Sequence, residues 1–383
     1  MLRIFLSTSH LSTIFMAIHA KKTHKAGDKD VLIVESARIK ESLLKLIHDT
    51  GVVHQWNEIH DFVTMVSDDQ NMKPTLQKTL TRKLKSKPVA KQIYNALYDA
   101  HLKSERKKLR SRLEKIFQKY LAASDIELNL LTQTPLNPVL LDIFPKAKVN
   151  YFEHGLGDYL YVQKPLHKGD FHCVFHEPFK KLLSEKKLDT GFVLPSVSPA
   201  DFEEASLTIL DRHPEQQVIA GSFSSNKPSV LILMEAVEMY NVKKAFWTEY
   251  IEKCLKQIQN PKEHFYYLKP HPIQSKESIG ITKDFFVRQG LEFKVLDHPV
   301  LVGMSSEVLF PLMKKNVRHV FALFSSSVFY TSVLYPSPAT TFHCSYGFME
   351  KNSKDAPDMY TEHFKGLKEL VEKVFSYNCR KFS

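Results

Sequence analysis

Short segments of this sequence carry residue types suited to chemistry on an activated, anionic substrate. Glu153-His154-Gly155-Leu156-Gly157-Asp158 follows the apolar run from Val149 to Phe152. A carboxylate held at a strand tip is placed to take a proton from a hydroxyl as general base. The plainer alternative is a turn acid that caps the next helix, a role that suits Asp158 better than Glu153. Gly155 and Gly157 are expected to let the backbone turn sharply beneath the acid.

Lys269-Pro270-His271-Pro272 follows Phe265 to Leu268. Prolines on both sides restrict the backbone around the histidine and lower the entropy of holding it in one orientation. Such stiffening suits a group that hydrogen-bonds or protonates a departing phosphate, with Lys269 adding positive charge; a rigid surface turn has the same pattern. Ser325-Ser326-Ser327 follows His319 to Phe324 and opens an apolar helix to about Tyr335. Hydroxyls and unpaired N–H groups at a helix start form an anion site, although serine is also an ordinary N-cap. Ser305-Ser306-Glu307 precedes another helix; in nucleotide-sugar enzymes of such α/β architecture a glutamate at a helix start typically holds the ribose hydroxyls, and Glu307 is the candidate for that role. Ser9 and His10, with Ser7 and Thr8, follow the first strand and are expected near donor or acceptor.

Several chemistries have no footing. The sequence holds no GxxxxGK[ST] loop, no GxGxxG after a strand and no HExxH. Asp68-Asp69 sits in a polar loop without the context of a metal grip. His172, Cys173 and His176 fall on an expected strand with no fourth ligand in register. The expectation is chemistry without a metal ion or other cofactor.

The elements that must position these residues are short β-branched or aromatic runs alternating with amphipathic stretches, the pattern of βα units on a parallel sheet. Expected strands are 3–7, 30–34, 127–132, 148–153 and 171–175, then 229–234, 265–269, 300–302, 319–324 and 339–343. A helix over about 10–22 follows the first strand; the polar residues between Ser7 and Thr13 make a poor signal-peptide core. Prolines 195, 199, 214 and 228 mark a crossover, placed near 190, which divides the 383 residues into 1–190 and 191–383. The tail from Tyr360 reads as a helix that packs back on the first domain.

The net charge of +11 is localised: residues 73–120 hold 15 Lys and Arg against Asp99, Glu105 and Glu114. Leu109, Leu113, Ile116 and Phe117 share one helical side there, so one face packs and the other is cationic. That is either a solvated helix face or a platform for a polyanion or anionic lipid headgroups. Interleaved aromatics that would stack bases are missing, so nucleic acid is not expected. Four separated cysteines without CxxC pairs favour a reducing compartment. Together with the absence of a spanning apolar segment, this gives a cytoplasmic expectation, with peripheral inner-membrane contact through the basic segment.

An acid before a turn glycine, then a His-Pro pair, then a serine run, in that order across two α/β halves, resembles the bacterial sialyltransferases. The nearest resemblance is to the polysialyltransferases that build capsular polysialic acid, whose motifs are an acidic pair followed by Gly, His-Pro and Ser-Ser. This chain departs from them at His154, which takes the second acidic position. The resemblance implies a GT-B-type fold, two Rossmann-like domains facing a central cleft, with acceptor on the first and CMP-sugar on the second. It implies an inverting, metal-independent displacement from CMP-sialic acid to an oligosialic or polysialic acceptor. Glu153 would be the base, while His271 and the serines would stabilise the leaving CMP. Lys269, Pro272 and Glu307 complete the expected donor side; His154, Gly155, Ser9, His10, Lys107 and Arg110 form the expected acceptor side. The alternatives are another CMP- or UDP-sugar transferase of capsule or lipopolysaccharide assembly, and a non-catalytic polyanion-binding α/β protein.

Overall fold

A computed structural model describes residues 1–35, 51–62, 104, 106–132, 134, 136–153, 155–160, 165–188, 190–235, 237, 242, 245–323, 325–352, 365–366, 369 and 380–381. The chain forms two compact units, Met1–His154 with Val162–Ser196, and Gly155–Tyr161 with Val197–Ser383.

The first unit holds seven parallel strands: β1 (Leu2–Ser7), β2 (Lys29–Glu35), β3 (Glu58–Phe62), β4 (Ile126–Leu131), β5 (Lys148–Phe152), β6 (Asp170–Cys173) and β7 (Val193–Pro195). They run in the order β3-β2-β1-β4-β5-β6-β7. The second unit holds β8 (Ser229–Leu233), β9 (Phe265–Lys269), β10 (Glu292–Val295), β11 (Val317–Ala322), β12 (Thr341–Cys344) and β13 (Arg380–Lys381). Its order is β10-β9-β8-β11-β12-β13, again parallel. Both sheets reverse direction of winding beside their first strand, between β1 and β4 and between β8 and β11. Such switch points open a crevice at the carboxyl ends of the strands, where ligands bind in open α/β sheets.

Parallel strands covered on both faces need apolar residues throughout, which explains runs such as β1 (LRIFLS) and β8 (SVLIL), buried at every position. Arg3 is the exception inside β1, and Asp30 at the start of β2 explains it. The Arg3 guanidinium lies 2.6 Å from each Asp30 carboxylate oxygen, and both side chains are fully buried. The helix His10–Thr23 follows β1, capped by Ser9 and Ser12 in a reciprocal capping box. On the helix at 106–117, Leu109, Leu113 and Phe117 are buried while Lys107, Lys108, Arg110, Arg112 and Lys115 are exposed. The two-faced helix expected from the sequence is present there; residues 73–103 of the basic segment lie outside the described residues.

Two expectations are corrected. Residues 300–302 lie in a helix, Pro299–Gly303, started by Pro299 and capped by His298; a three-residue apolar run does not distinguish a buried helical turn from a strand. The terminal helix expected from Tyr360 lies largely outside the described residues; Arg380–Lys381 pair with β12. Strands β3, β7 and β10 were not expected. Each lies at a sheet edge: polar residues interrupt the apolar run in β3 and β10, and β7 is only three residues long and ends in a proline. Among the described residues, no helix is long and apolar enough to cross a membrane.

Candidate active site

The sequence motifs stand directly after strands. Glu153 follows β5 and is 1% exposed. One of its carboxylate oxygens accepts the backbone N–H of Val174, just beyond β6. The acid is therefore held at the carboxyl edge by the neighbouring strand. The expected need for glycine at this turn is corrected. Gly155 and Gly157 do not have positive φ, and a Cβ on either would meet open space, so neither the turn nor close packing requires glycine. Gly157–Leu160 is a single helical turn with Asp158 at its start, buried. His154 lies outside the described residues.

At the end of β1, the Ser7 hydroxyl contacts those of Ser12 and Thr13 at 3.0 and 2.5 Å. Ser9 accepts the Ser12 N–H at 3.3 Å, so its hydroxyl serves the helix cap. His10 is half-buried on the first turn of that helix. Lys107 and Arg110 are exposed on the helix at 106–117, with Arg110 paired to Glu114 at 2.8 Å.

In the second unit, Lys269 ends β9 and His271 stands exposed beyond it, followed by Pro272, also exposed. The Ile273 N–H donates to His271 Nδ1 at 3.3 Å, and the Gln274 N–H to the His271 carbonyl at 2.9 Å. With Nδ1 accepting, the proton of a neutral ring resides on Nε2, which leaves Nε2–H as the donor for a ligand. Lys269 differs from its neighbour in being buried, its ammonium donating to the Val302 carbonyl at 3.2 Å. Burial pushes its pKa down to about 8, against the opposing pull of Glu307.

Glu307, on the helix Ser306–Leu309, is 3% exposed. Burial raises its pKa, while its own backbone N–H, the Ser327 and Ser305 hydroxyls and Lys269 favour the charged form. Its Oε2 is buried without a hydrogen-bond partner among the described residues. Ser325 is the N-cap of the helix Ser326–Leu334 and accepts the Ser327 N–H at 3.3 Å. All three serines are half-buried. Lys269, Glu307 and Ser327 thus form one polar group in the second unit.

Glu235, two residues past β8, escaped the sequence reading. Its Oε1 accepts the N–H groups of Leu323 at 3.1 Å and Ser325 at 2.8 Å. The rule applied elsewhere, asking what stands just after each strand, would have selected it.

Among the described residues, the group His24, Asp30 and His54 has ligand-type atoms within 4.8 Å of one another. Asp30 is already committed to Arg3 on both oxygens, and the cluster lies at the amino ends of β1 and β2, away from the motif edge. His172 stacks on Phe152 with ring centroids 4.7 Å apart, a packing contact.

Comparison with known proteins places this geometry. UDP-GlcNAc 2-epimerase from Methanocaldococcus jannaschii superposes with a TM-score of 0.52 at 12% identity, covering 97% of this chain and 92% of that one. A putative UDP-N-acetylglucosamine 2-epimerase from Listeria monocytogenes gives 0.50 at 9% identity, covering 85% and 75%. These likenesses establish the fold alone: α/β, GT-B type, with two Rossmann-like sheets. No curated protein sequence matches the chain. The sequence profile described as alpha-2,8-polysialyltransferase (POLYST) matches residues 3–344, a span that takes in β1 through β12 and every motif described above. With its acid, His-Pro pair and serine run each following a parallel strand within that span, the chain belongs to the alpha-2,8-polysialyltransferase family, and is a glycosyltransferase of the sialyltransferase type.

Proposed function

We propose that the protein transfers sialic acid from CMP-sialic acid to an oligosialic or polysialic acceptor by a single inverting displacement. Glu153 takes the proton of the acceptor hydroxyl as that oxygen attacks the anomeric carbon. The bond from that carbon to the phosphate oxygen breaks, its electron pair leaving with CMP. His271 donates Nε2–H to the departing phosphate, and the hydroxyls of Ser325, Ser326 and Ser327 share its charge. Glu307 takes the ribose hydroxyls. No step uses a metal ion.

The observation that carries this reading is family membership over residues 3–344, with the first acid of the acidic motif, Glu153, the His-Pro pair and the serine run present in order and His154 in the second acidic position. Positioned acid-base groups each contribute about 10²- to 10⁴-fold in rate. A Glu153 with one oxygen already engaged by a backbone N–H is restrained in orientation, as a base must be. We further propose that Lys107, Arg110 and their cationic neighbours steer the anionic acceptor, that the same face allows peripheral contact with the inner membrane, and that the product enters capsule synthesis.

The test is incubation with CMP-sialic acid and a short oligosialic primer, with and without EDTA. The expected result is longer chains on anion-exchange chromatography, EDTA-insensitive, with inverted anomeric configuration by NMR. Intact protein that consumes no CMP-sialic acid but uses another CMP- or UDP-sugar would shift the donor assignment. Binding of polyanions with no transfer from any donor would remove catalysis.

A further inference from the structure

Glu235 sits at the switch point of the second sheet, where β8 and β11 lie side by side with opposite directions of onward winding. Three loops leave the carboxyl edge there: Glu235 bonds the serine loop, and its chain neighbour Met234 bonds the residue that leads into the His-Pro loop. The Glu235 side chain accepts two backbone N–H groups of the serine loop, Leu323 at 3.1 Å and Ser325 at 2.8 Å. Immediately before it, the Met234 N–H donates to the Lys269 carbonyl at 2.9 Å, beside the His-Pro pair. The Glu235 carbonyl accepts the Val237 N–H at 2.8 Å, which fixes the turn. The side chain is 5% exposed, and its negative charge bears on the fully buried Tyr250 phenol.

A surface loop rich in serine has no intrinsic reason to hold one conformation, and its backbone N–H groups must find acceptors when buried. At Leu323 and Ser325 the acceptor is a side-chain oxygen contributed from beyond a different strand, β8, and that one oxygen takes both N–H groups. The Ser325 N–H is itself one of the two, so the carboxylate fixes the residue that caps the following helix.

We infer that Glu235 is a positioning residue for donor binding, holding the serine loop in register with the His-Pro loop so that both meet one phosphate. It touches no reacting atom. The inference rests on the reading of Ser325–Ser327 as the CMP-phosphate site.

Two substitutions separate reach from charge. Glu235→Gln keeps an oxygen at the same reach without the charge; Glu235→Asp keeps the charge but is one methylene too short to hold both N–H groups. The readouts are the CMP dissociation constant by calorimetry, the donor KM and kcat, and thermal melting of the full chain. Positioning predicts that E235D weakens CMP binding and raises donor KM by about tenfold or more, the order expected for losing one or two such bonds. E235Q should stay within about threefold of the parent, as rescue by a reach-conserving group requires. If E235D melts earlier yet binds CMP as tightly as the parent, the residue is merely structural and the inference fails. If E235Q is the worse variant, charge and not reach is what matters, and the inference also fails. Ser326→Ala in parallel tests the underlying site: an unchanged CMP affinity there removes the donor-site reading, whatever Glu235 does.

Discussion

Glu153 and Val174 are joined side chain to backbone across adjacent strands, the acid at the tip of β5 accepting the N–H just past the end of β6. The carboxylate therefore has two duties that mutation can pull apart. Glu153→Gln keeps an acceptor for Val174, and its melting temperature should stay close to that of the parent. Glu153→Ala strands a buried N–H and should cost about 1–3 kcal/mol. Equal stability of the two variants in urea titrations would show that the Val174 contact contributes nothing.

Acid should loosen both units. Burial lowers the pKa of His19, His172 and His319 to about 4, and that of His343 to about 3. Each binds its proton more weakly folded than unfolded. Between an unfolded value of 6.5 and the folded values, the unfolded chain holds more protons, so stability falls as pH is lowered through that window. His172 and His343, the most buried, should each account for on the order of 1–2 kcal/mol by about pH 5. Urea midpoints across the range check this, and His172→Phe should flatten the slope. A midpoint constant from neutral pH down to about pH 5 would contradict it.

The buried Arg3–Asp30 pair supports folding at the edge opposite the motifs. Asp30 is held well below the usual carboxylate range because hydrogen bonds from His54, Arg3 and His24 outweigh its burial. Asp30→Asn removes the nearer of the two carboxylates on the buried guanidinium and leaves Asp28 at 3.8 Å, at up to about 3–5 kcal/mol. Arg3→Met with Asp30→Leu should cost less than that single change, since no charge is stranded. Calorimetric melting of the three proteins decides, and kcat of the folded fraction should not move.

Reversing the cationic face tests acceptor steering. Lys107→Glu, Arg110→Glu and Arg112→Glu together should raise acceptor KM at low salt, with the deficit shrinking as salt approaches about 0.5 M. Donor KM should be unchanged. A deficit independent of salt, or one confined to the donor, would place those residues outside acceptor recognition.

Much of this architecture is legible in the sequence because buried parallel strands leave unbroken apolar runs. Phe265–Lys269 has the expected bounds, and β1, β4, β5 and β8 fall within a residue of them. The Pro299–Gly303 helix was misread as a strand because three apolar residues carry no period. The His-Pro and serine motifs were legible because each follows such a run. Burial was not legible: Lys269 reads as a free cation in sequence, but in the fold it faces Val302 and Glu307, contributed by elements more than thirty residues away. Glu235 is visible in the sequence as an acid directly after the expected strand 229–234, but its role is not, since its partners Leu323 and Ser325 become neighbours only when β8 and β11 pair.

The central claim is that the Glu153 carboxylate removes the acceptor proton during sialyl transfer. The most direct measurement is the initial rate of CMP release from CMP-sialic acid with saturating oligosialic primer, parent against Glu153→Gln, at matched folded concentration. The account predicts a loss of about 10²- to 10⁴-fold with CMP affinity retained. Turnover by E153Q within a few fold of the parent would contradict it.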